Sequence, residues 1–314
     1  MIRKCNLSSS IIGKMILILC LFFLGIQVQY GQDYVNILRL YGQFAPNTDY
    51  DEMEGNTDLQ EMGLRFRVPI PLKNNTILLP GLFVENVQGK LAPSHSEMVS
   101  VYTITPQLGI QLKLSESWKG NYLLMPSLYS DLKEIDADDF QLGAIILIEK
   151  TKAENLNYSF GMYVNTEVYG LNLLPLAGFY YINEAKTWEV DALMPVLLDI
   201  NYRLSNKLRF GFHYLARGTT HYLNDYNGDD SGYYLEKGSK DFFLYVETPV
   251  MKDWAFQAMI GHSIGRYYEV YDADEKIDWS LGPVLFGDER TQINGDVTDG
   301  LMMKFKLVYR YPLE

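Results

Sequence analysis

The segment LMMKFKLVYRYPL, Leu301–Leu313, ends the chain on an alternation of period two. Leu301, Met303, Phe305, Leu307, Tyr309, Tyr311 and Leu313 fall on one face of an extended strand. Met302, Lys304, Lys306, Val308 and Arg310 fall on the other, because successive side chains of a strand point to opposite faces. The apolar face is longer than the roughly 9–11 residues that a tilted strand needs to cross a bilayer.

The same rhythm recurs upstream. Leu64, Phe66, Val68 and Ile70 oppose Arg65 and Arg67. Tyr102, Ile104, Leu108, Ile110, Leu112 and Leu114 oppose Thr103, Thr105, Gln107, Gln111 and Lys113, with Pro106 on the apolar side. Trp188, Val190, Ala192 and Met194 oppose Glu189 and Asp191. Leu198, Ile200, Tyr202 and Leu204 oppose Asp199, Asn201 and Arg203, and Leu208, Phe210, Phe212 and Tyr214 oppose Arg209, His213 and Arg217. Apolar outside and charged inside is the pattern of a lipid-facing barrel with a wet lumen. A soluble barrel or sandwich also alternates, with the faces reversed, so connection lengths must separate the two.

Short turn signals occur near Lys73–Asn75, Ser115–Ser117, Thr151–Asn155, Asn183–Lys186, Ser205–Asn206 and Met251–Asp253. Longer polar segments lie between most of them: Ala45–Asn56, Gln88–Ser96, Asp131–Asp139, Asn224–Lys240 and Asp272–Asp299. Short and long connections that take turns are expected of strands running up and down through an outer membrane. Trp118, Trp188 and Trp254 each follow a short turn, Tyr202 precedes one, and Tyr309 and Tyr311 precede the C-terminus. These six form an expected aromatic belt at one interface, while Trp279 falls in the last long loop. The reading is therefore all-β: a single antiparallel up-and-down transmembrane barrel. Strand-like segments number about 13, and an even number is required. If Thr187–Leu204, whose phase is unbroken through Pro195, is one strand, the expectation is about 12 strands. If it breaks there, as the alternation of loop lengths favours, the number is 14; the expectation taken is about 12.

The N-terminus carries Arg3, Lys4 and Lys14, then the apolar run Met15–Leu24 and a short flank to Gln32. This is the pattern of a cleaved secretory signal peptide over residues 1–31, leaving a barrel domain over 32–314. The run is short for a bilayer span, which argues against a retained anchor. Cys20 follows Leu17, Ile18 and Leu19 rather than small residues, which argues against a lipoprotein. Both cysteines, Cys5 and Cys20, lie in this leader, so the mature chain has neither a disulfide nor a thiolate metal site. The formal charge of −12 argues against nucleic acid, which needs a basic face. Twenty-four tyrosines suit an interface between water and lipid.

The stretch Asn157–Tyr214, with Gly161, Gly170, Pro175, Gly178, Tyr181, Trp188, Pro195 and Tyr202, resembles an uncharacterised family of outer-membrane β-barrel proteins known as a domain of unknown function. The resemblance implies an outer-membrane barrel and carries no catalytic or binding residues with it.

The lumen is the candidate site. Arg65, Arg67, Lys113, Glu189, Asp191, Asp199, Arg203, Arg209, His213, Arg217, Lys304, Lys306 and Arg310 point inward on this phase, as do Glu149 and Glu247. The basic excess would concentrate anionic solutes if the lumen is open. The same charges, paired with one another, would plug a narrow barrel. The loop DYNGDD places Asp225, Asn227, Asp229 and Glu236 at calcium-loop positions, but Asp230 stands where the turn needs Gly, and a solvated loop is the simpler reading. No His-x-x-x-His or Cys pair is present, and His95, His213, His221 and His262 suggest no metal site. No cofactor is expected. A channel or small-solute transport barrel leads, ahead of a plugged structural barrel and a membrane-embedded acyl hydrolase or transferase acting through His213. Enzymatic activity is not expected. The expected partners are outer-membrane lipid, the barrel-assembly machinery during biogenesis, and small solutes.

Overall fold

The computed structural model describes residues 34–51, 53–73, 75–93, 98–224, 226 and 232–312. Residues 1–33, which hold the expected leader and both cysteines, lie outside the described residues, as do His95 and Leu313. Seventeen strands are present among the described residues. They are β1 (Tyr34–Asp49), β2 (Asn56–Arg67), β3 (Ile70–Pro71), β4 (Thr76–Gly89), β5 (Val99–Lys113), β6 (Trp118–Ser130), β7 (Phe140–Ala153), β8 (Leu156–Glu167) and β9 (Gly170–Ile182). They continue as β10 (Trp188–Met194), β11 (Leu197–Ser205), β12 (Leu208–Leu223), β13 (Tyr233–Met251), β14 (Trp254–Asp272), β15 (Trp279–Leu281), β16 (Val284–Phe286) and β17 (Leu301–Pro312).

Fourteen of them close a ring: β1, β2, β4 to β14, and β17, each antiparallel to its neighbours. The seam is β1 on β17, running from Tyr34 opposite Pro312 to Phe44 opposite Met303. Closure leaves neither strand a free edge at the seam, where ten residue pairs form around a bulge at Ile37. β3 continues the line of β2 past Val68 and Pro69 and pairs with β4.

The expectation of about 12 strands is corrected to 14, and the physical reason is specific. Residues 188–204 are two strands, β10 and β11, folded back at Pro195 and Val196. Trp188 pairs with Tyr202, Val190 with Ile200, and Ala192 with Leu198. In this register even-numbered residues meet even-numbered ones. Cross-strand partners share a face, so the alternation passes through the hairpin without a break, and the phase of a single strand is indistinguishable from that of the pair.

Both termini lie at one end, here called the near end. The connections there are short: 72–75, 114–117, 154–155, 183–187, 206–207 and 252–253. At the far end the connections are 50–55, 90–98, 131–139, 168–169, 195–196, 224–232 and 273–300. Two of these, 168–169 and 195–196, are short where long ones were expected. The segments Ala45–Asn56 and Asn224–Lys240, expected as loops, are partly strand, since β1 runs to Asp49 and β13 starts at Tyr233.

Burial separates the faces. On β17, Leu301 and Tyr311 expose 68 % and 55 % of their surface, whereas Met302, Lys304 and Arg310 expose 2 %, 3 % and 8 %. Leu108, Ile146, Phe160, Leu244 and Ile260 are exposed on the outside of the ring. A protein folded by burying apolar surface in its own core does the opposite.

The wall is uneven. β10 has seven residues, fewer than the roughly 9–11 of a full crossing, and β11 ends its ladder with β12 at the pair Leu197 and Leu215. Two consequences follow. The edge of β9 left free above β10 is taken by β15, parallel to Leu171–Leu173, with β16 folded onto β15. The part of β12 beyond Leu215 loses its neighbour on that side and crosses the lumen. Tyr222 forms a bridge with Ser130 of β6, His221 Nε2 lies 2.9 Å from Thr103 Oγ1, and Gln141 donates to Thr220 at 3.0 Å. An apolar cluster including Leu59, Val87, Val101, Leu223, Leu235, Phe243 and Val270 then fills the far half of the lumen.

Candidate functional site: the lumen

From the near end inward, the lumen is organised in tiers. At the near rim Arg310 donates both guanidinium nitrogens to Glu247, at 2.6 and 2.7 Å, and its Nε donates to Asn36 at 3.1 Å. Arg209 lies 3.8 Å from Glu247 and 3.7 Å from Glu189, and donates to the Tyr34 hydroxyl at 2.8 Å. Glu189 also accepts from Tyr180 and Asn201. Arg203 is buried on β11 directly opposite Arg209. Two-pronged arginine–carboxylate contacts fix geometry as well as charge.

One tier further in, His213 is gripped from both sides. Its Nδ1 lies 2.9 Å from Asp199, and Lys306 Nζ lies 3.5 Å from its Nε2. Tyr245 donates to Asp199 at 2.8 Å. The proposed acyl-transfer role needs a hydroxyl on the histidine's second nitrogen, and that position faces Lys306.

The far tier is the densest. Arg217 of β12 reaches Glu61 of β2 and Glu85 of β4, both at 2.6 Å. Lys237 of β13 approaches the same two carboxylates at 3.1 and 3.5 Å, and the Tyr41 hydroxyl donates to Glu85. Lys304 donates to Gln43 at 2.9 Å and sits over the Tyr41 ring. Charges withdrawn from water in this way must be matched nearly one for one: Arg217 and Lys237 meet Glu61 and Glu85, while Lys304 is held by Gln43 and the Tyr41 ring.

Four expected lumen residues, Lys113, Arg67, Arg65 and Asp191, stand apart from these networks. Lys113 pairs with Glu116 in its own near-end turn, at 2.8 Å and exposed. Arg67 donates to Gln107 at 2.8 Å. Arg65 lies 4.8 Å over the Phe83 ring and directly opposite Arg39 of β1. Asp191 lies opposite Asp199 within the β10–β11 hairpin. Arg39, Arg65 and Asp191 are exposed although they line the inside of the ring, so water reaches the near half of the lumen.

Sequence reasoning missed Arg39, Tyr41, Glu61, Glu85 and Lys237. The signal for the first was present, since Leu38, Arg39, Leu40 and Tyr41 alternate like the rest. Glu61 and Lys237 sit near or within segments that read as polar loops, and only the closed ring brings them together.

The aromatic residues collect at the near end. The Trp188 and Tyr202 rings are 4.9 Å apart, Trp254 and Tyr309 are 5.2 Å apart, the Lys150 amine lies 5.2 Å over Trp118, and Tyr311 is exposed beside them. Trp279 lies at the far end, stacked on Phe286 at 4.2 Å. The calcium-loop reading loses its twelfth-position ligand: Glu236 accepts from Arg290 at 2.7 Å. Asp225, Asn227, Asp229 and Asp230 lie outside the described residues.

Three solved structures are similar to the chain. An outer membrane channel from Pseudomonas putida F1 is 9 % identical with a TM-score of 0.42, covering 91 % of this chain and 97 % of that one. The toluene transporter TodX of P. putida is 9 % identical with a TM-score of 0.39, covering 89 % and 91 %. The NanC porin is 8 % identical with a TM-score of 0.32, covering 87 % and 100 %. No curated protein matches the chain. Residues 27–276, most of the sequence, match the model of the domain of unknown function DUF6268, and the chain belongs to that family.

Proposed function

We propose that this chain is an outer-membrane barrel of a Gram-negative bacterium, exported by its leader, that passes small solutes through a lumen whose far half is held shut by its own side chains. One observation carries the reading: charged side chains meet water inside the ring, at Arg39, Arg65 and Asp191, while Leu108, Leu244, Ile260 and Leu301 are bare on its outside. That inversion suits a hydrocarbon exterior and an aqueous interior. The far tier is the closed gate. Arg217 stands on the stretch of β12 that has lost its neighbour β11, and Lys237 on the part of β13 paired with that stretch, so the gate is mounted beside the least braced part of the wall.

Cell fractionation with a heat-modifiability gel shift tests the location. Recovery in the outer-membrane fraction as a band that migrates differently when unboiled supports it, and recovery in the soluble periplasm overturns it. Planar-bilayer recording tests transport, with small conductance steps expected. A permanently plugged barrel that acts at its surface is the second reading, favoured by the apolar cluster behind the gate. Silence of the wild type and of gate variants alike would support it.

A further inference from the structure

The near half of the lumen holds charges that the protein leaves without partners. Arg39 and Arg65 face each other directly across β1 and β2, with Arg67 two residues on along the same face. Like charges set opposite on neighbouring strands repel. Among the described residues, Arg39 has neither a hydrogen bond nor an ion pair, and Arg65 has only the Phe83 ring. Seven steps round the ring of fourteen from β2 stands β10, which carries Asp191, exposed and likewise without a hydrogen bond or ion pair, and Glu189 beside it. Arg39 and Asp191 do not touch, yet each is among the charges that act on the other. A basic wall therefore faces an acidic wall across water, at a separation the two side chains do not bridge.

We propose that this space is a binding site for a small dipolar solute, with its carboxylate on Arg39 and Arg65 and its ammonium group toward Asp191. Guanidinium groups present paired donors that match a carboxylate. The acidic wall accepts an alkylammonium, and a solute with both ends relieves both unpaired sets at once, which an anion alone does not. This rests on the transport reading for its purpose, though not for its measurement.

The test is calorimetric titration of the full-length barrel in detergent micelles with glycine, β-alanine and 4-aminobutanoate, and with acetate and methylammonium as single-ended controls. The expected result is binding of the longer zwitterions at least about tenfold tighter than acetate. Asp191→Asn should weaken zwitterions about tenfold and leave acetate unchanged, while Arg39→Gln should weaken both. The unboiled gel band checks that each variant is folded. Acetate binding as tightly as the zwitterions, insensitivity to Asp191→Asn, or no binding at all would each overturn the proposal. A barrel that binds zwitterions while the wild type and the gate variants alike carry no current would sink the transport reading and leave the site standing.

Discussion

Arg217 and Glu85 form a 2.6 Å ion pair between β12 and β4, strands on nearly opposite walls of the ring. A contact across the diameter of a barrel is a closure, because the side chains that make it occupy the path a solute would take. Glu61, Lys237 and Tyr41 join the same knot, so the closure is polar at its centre and backed by an apolar cluster on the far side.

Removing Arg217 exposes the energetics of that closure. Arg217→Met leaves Glu61 and Glu85 with Lys237 as the one cation paired to them among the described residues, and breaking a buried pair from one side costs about 3–5 kcal/mol. Urea unfolding in detergent should show a loss of that order. Single-channel conductance should rise, because the surplus carboxylate draws water into the far tier. The double variant E85Q/R217M removes one charge of each sign, leaves Lys237 paired with Glu61 at 3.1 Å, and should recover most of the stability while keeping the higher conductance. Wild-type conductance in both variants would show that the knot is not on the solute path.

The outer face offers a sharper test of the surroundings. Leu244 and Ile260 are cross-strand partners on β13 and β14, exposed by 65 % and 60 %. Arginine at the midplane of a lipid-facing barrel wall costs about 2–4 kcal/mol. Leu244→Arg should therefore destabilise the barrel by that amount in phospholipid vesicles. In water the same change at an exposed site stays within about 0.5 kcal/mol. A small effect in vesicles would remove this face from the hydrocarbon.

How much of this was legible in the sequence depends on what each signal measures. Alternation reports which face a residue takes, and on β17 it separates Leu301 and Tyr311 from Met302, Lys304 and Arg310 without error. It does not report direction. The reversal at Pro195 keeps even residues opposite even ones, so the phase is silent about the turn. Partners across the lumen are beyond any local signal: Arg217 meets Glu85 at a separation of 132 residues, and only closure of the ring brings them together. Polar composition misled at residues 233–240, where Glu236, Lys237 and Lys240 read as loop. That stretch is strand, because it pairs with β12 on one side and β14 on the other and its polar side chains find partners inside.

The tryptophans provide a depth gauge. Trp118, Trp188 and Trp254 stand at the near end, and Trp279 stands on the β15–β16 hairpin at the far end. Amphipathic rings settle at the headgroup level. In vesicles with quencher placed only in the inner leaflet, after insertion from outside, single-tryptophan variants should fall into two classes. Three should be quenched from one leaflet and Trp279 from the other. Equal quenching of all four would contradict an up-and-down crossing with this assignment of ends.

The last prediction concerns the patch that completes the wall. β15 and β16 occupy the free edge of β9, and the loop that carries them is tied down by Arg290. That guanidinium donates to Glu236 at 2.7 Å, to the Tyr234 hydroxyl at 2.9 Å and to Asp288 at 2.8 Å, and lies 4.2 Å over the Tyr271 ring. Hydrogen bonds from Arg290 hold the Asp288 carboxyl below its usual range. A carboxyl depressed in the folded state stabilises above its unfolded value, near pH 4, and that contribution is lost as pH falls through the lower folded value. Hydrogen exchange, corrected for intrinsic rates, should therefore show the Ser280–Leu285 amides fully protected at neutral pH and progressively less so below about pH 4. Arg290→Gln should lower their protection at every pH while leaving β5 and β17 unchanged. Asp288→Asn should abolish the part of the acid response that Asp288 carries and keep the rest of the latch. Uniform loss of protection across all strands in acid would mean that the hairpin is no separate unit, and that β15 belongs to the barrel wall as firmly as the strand it pairs with.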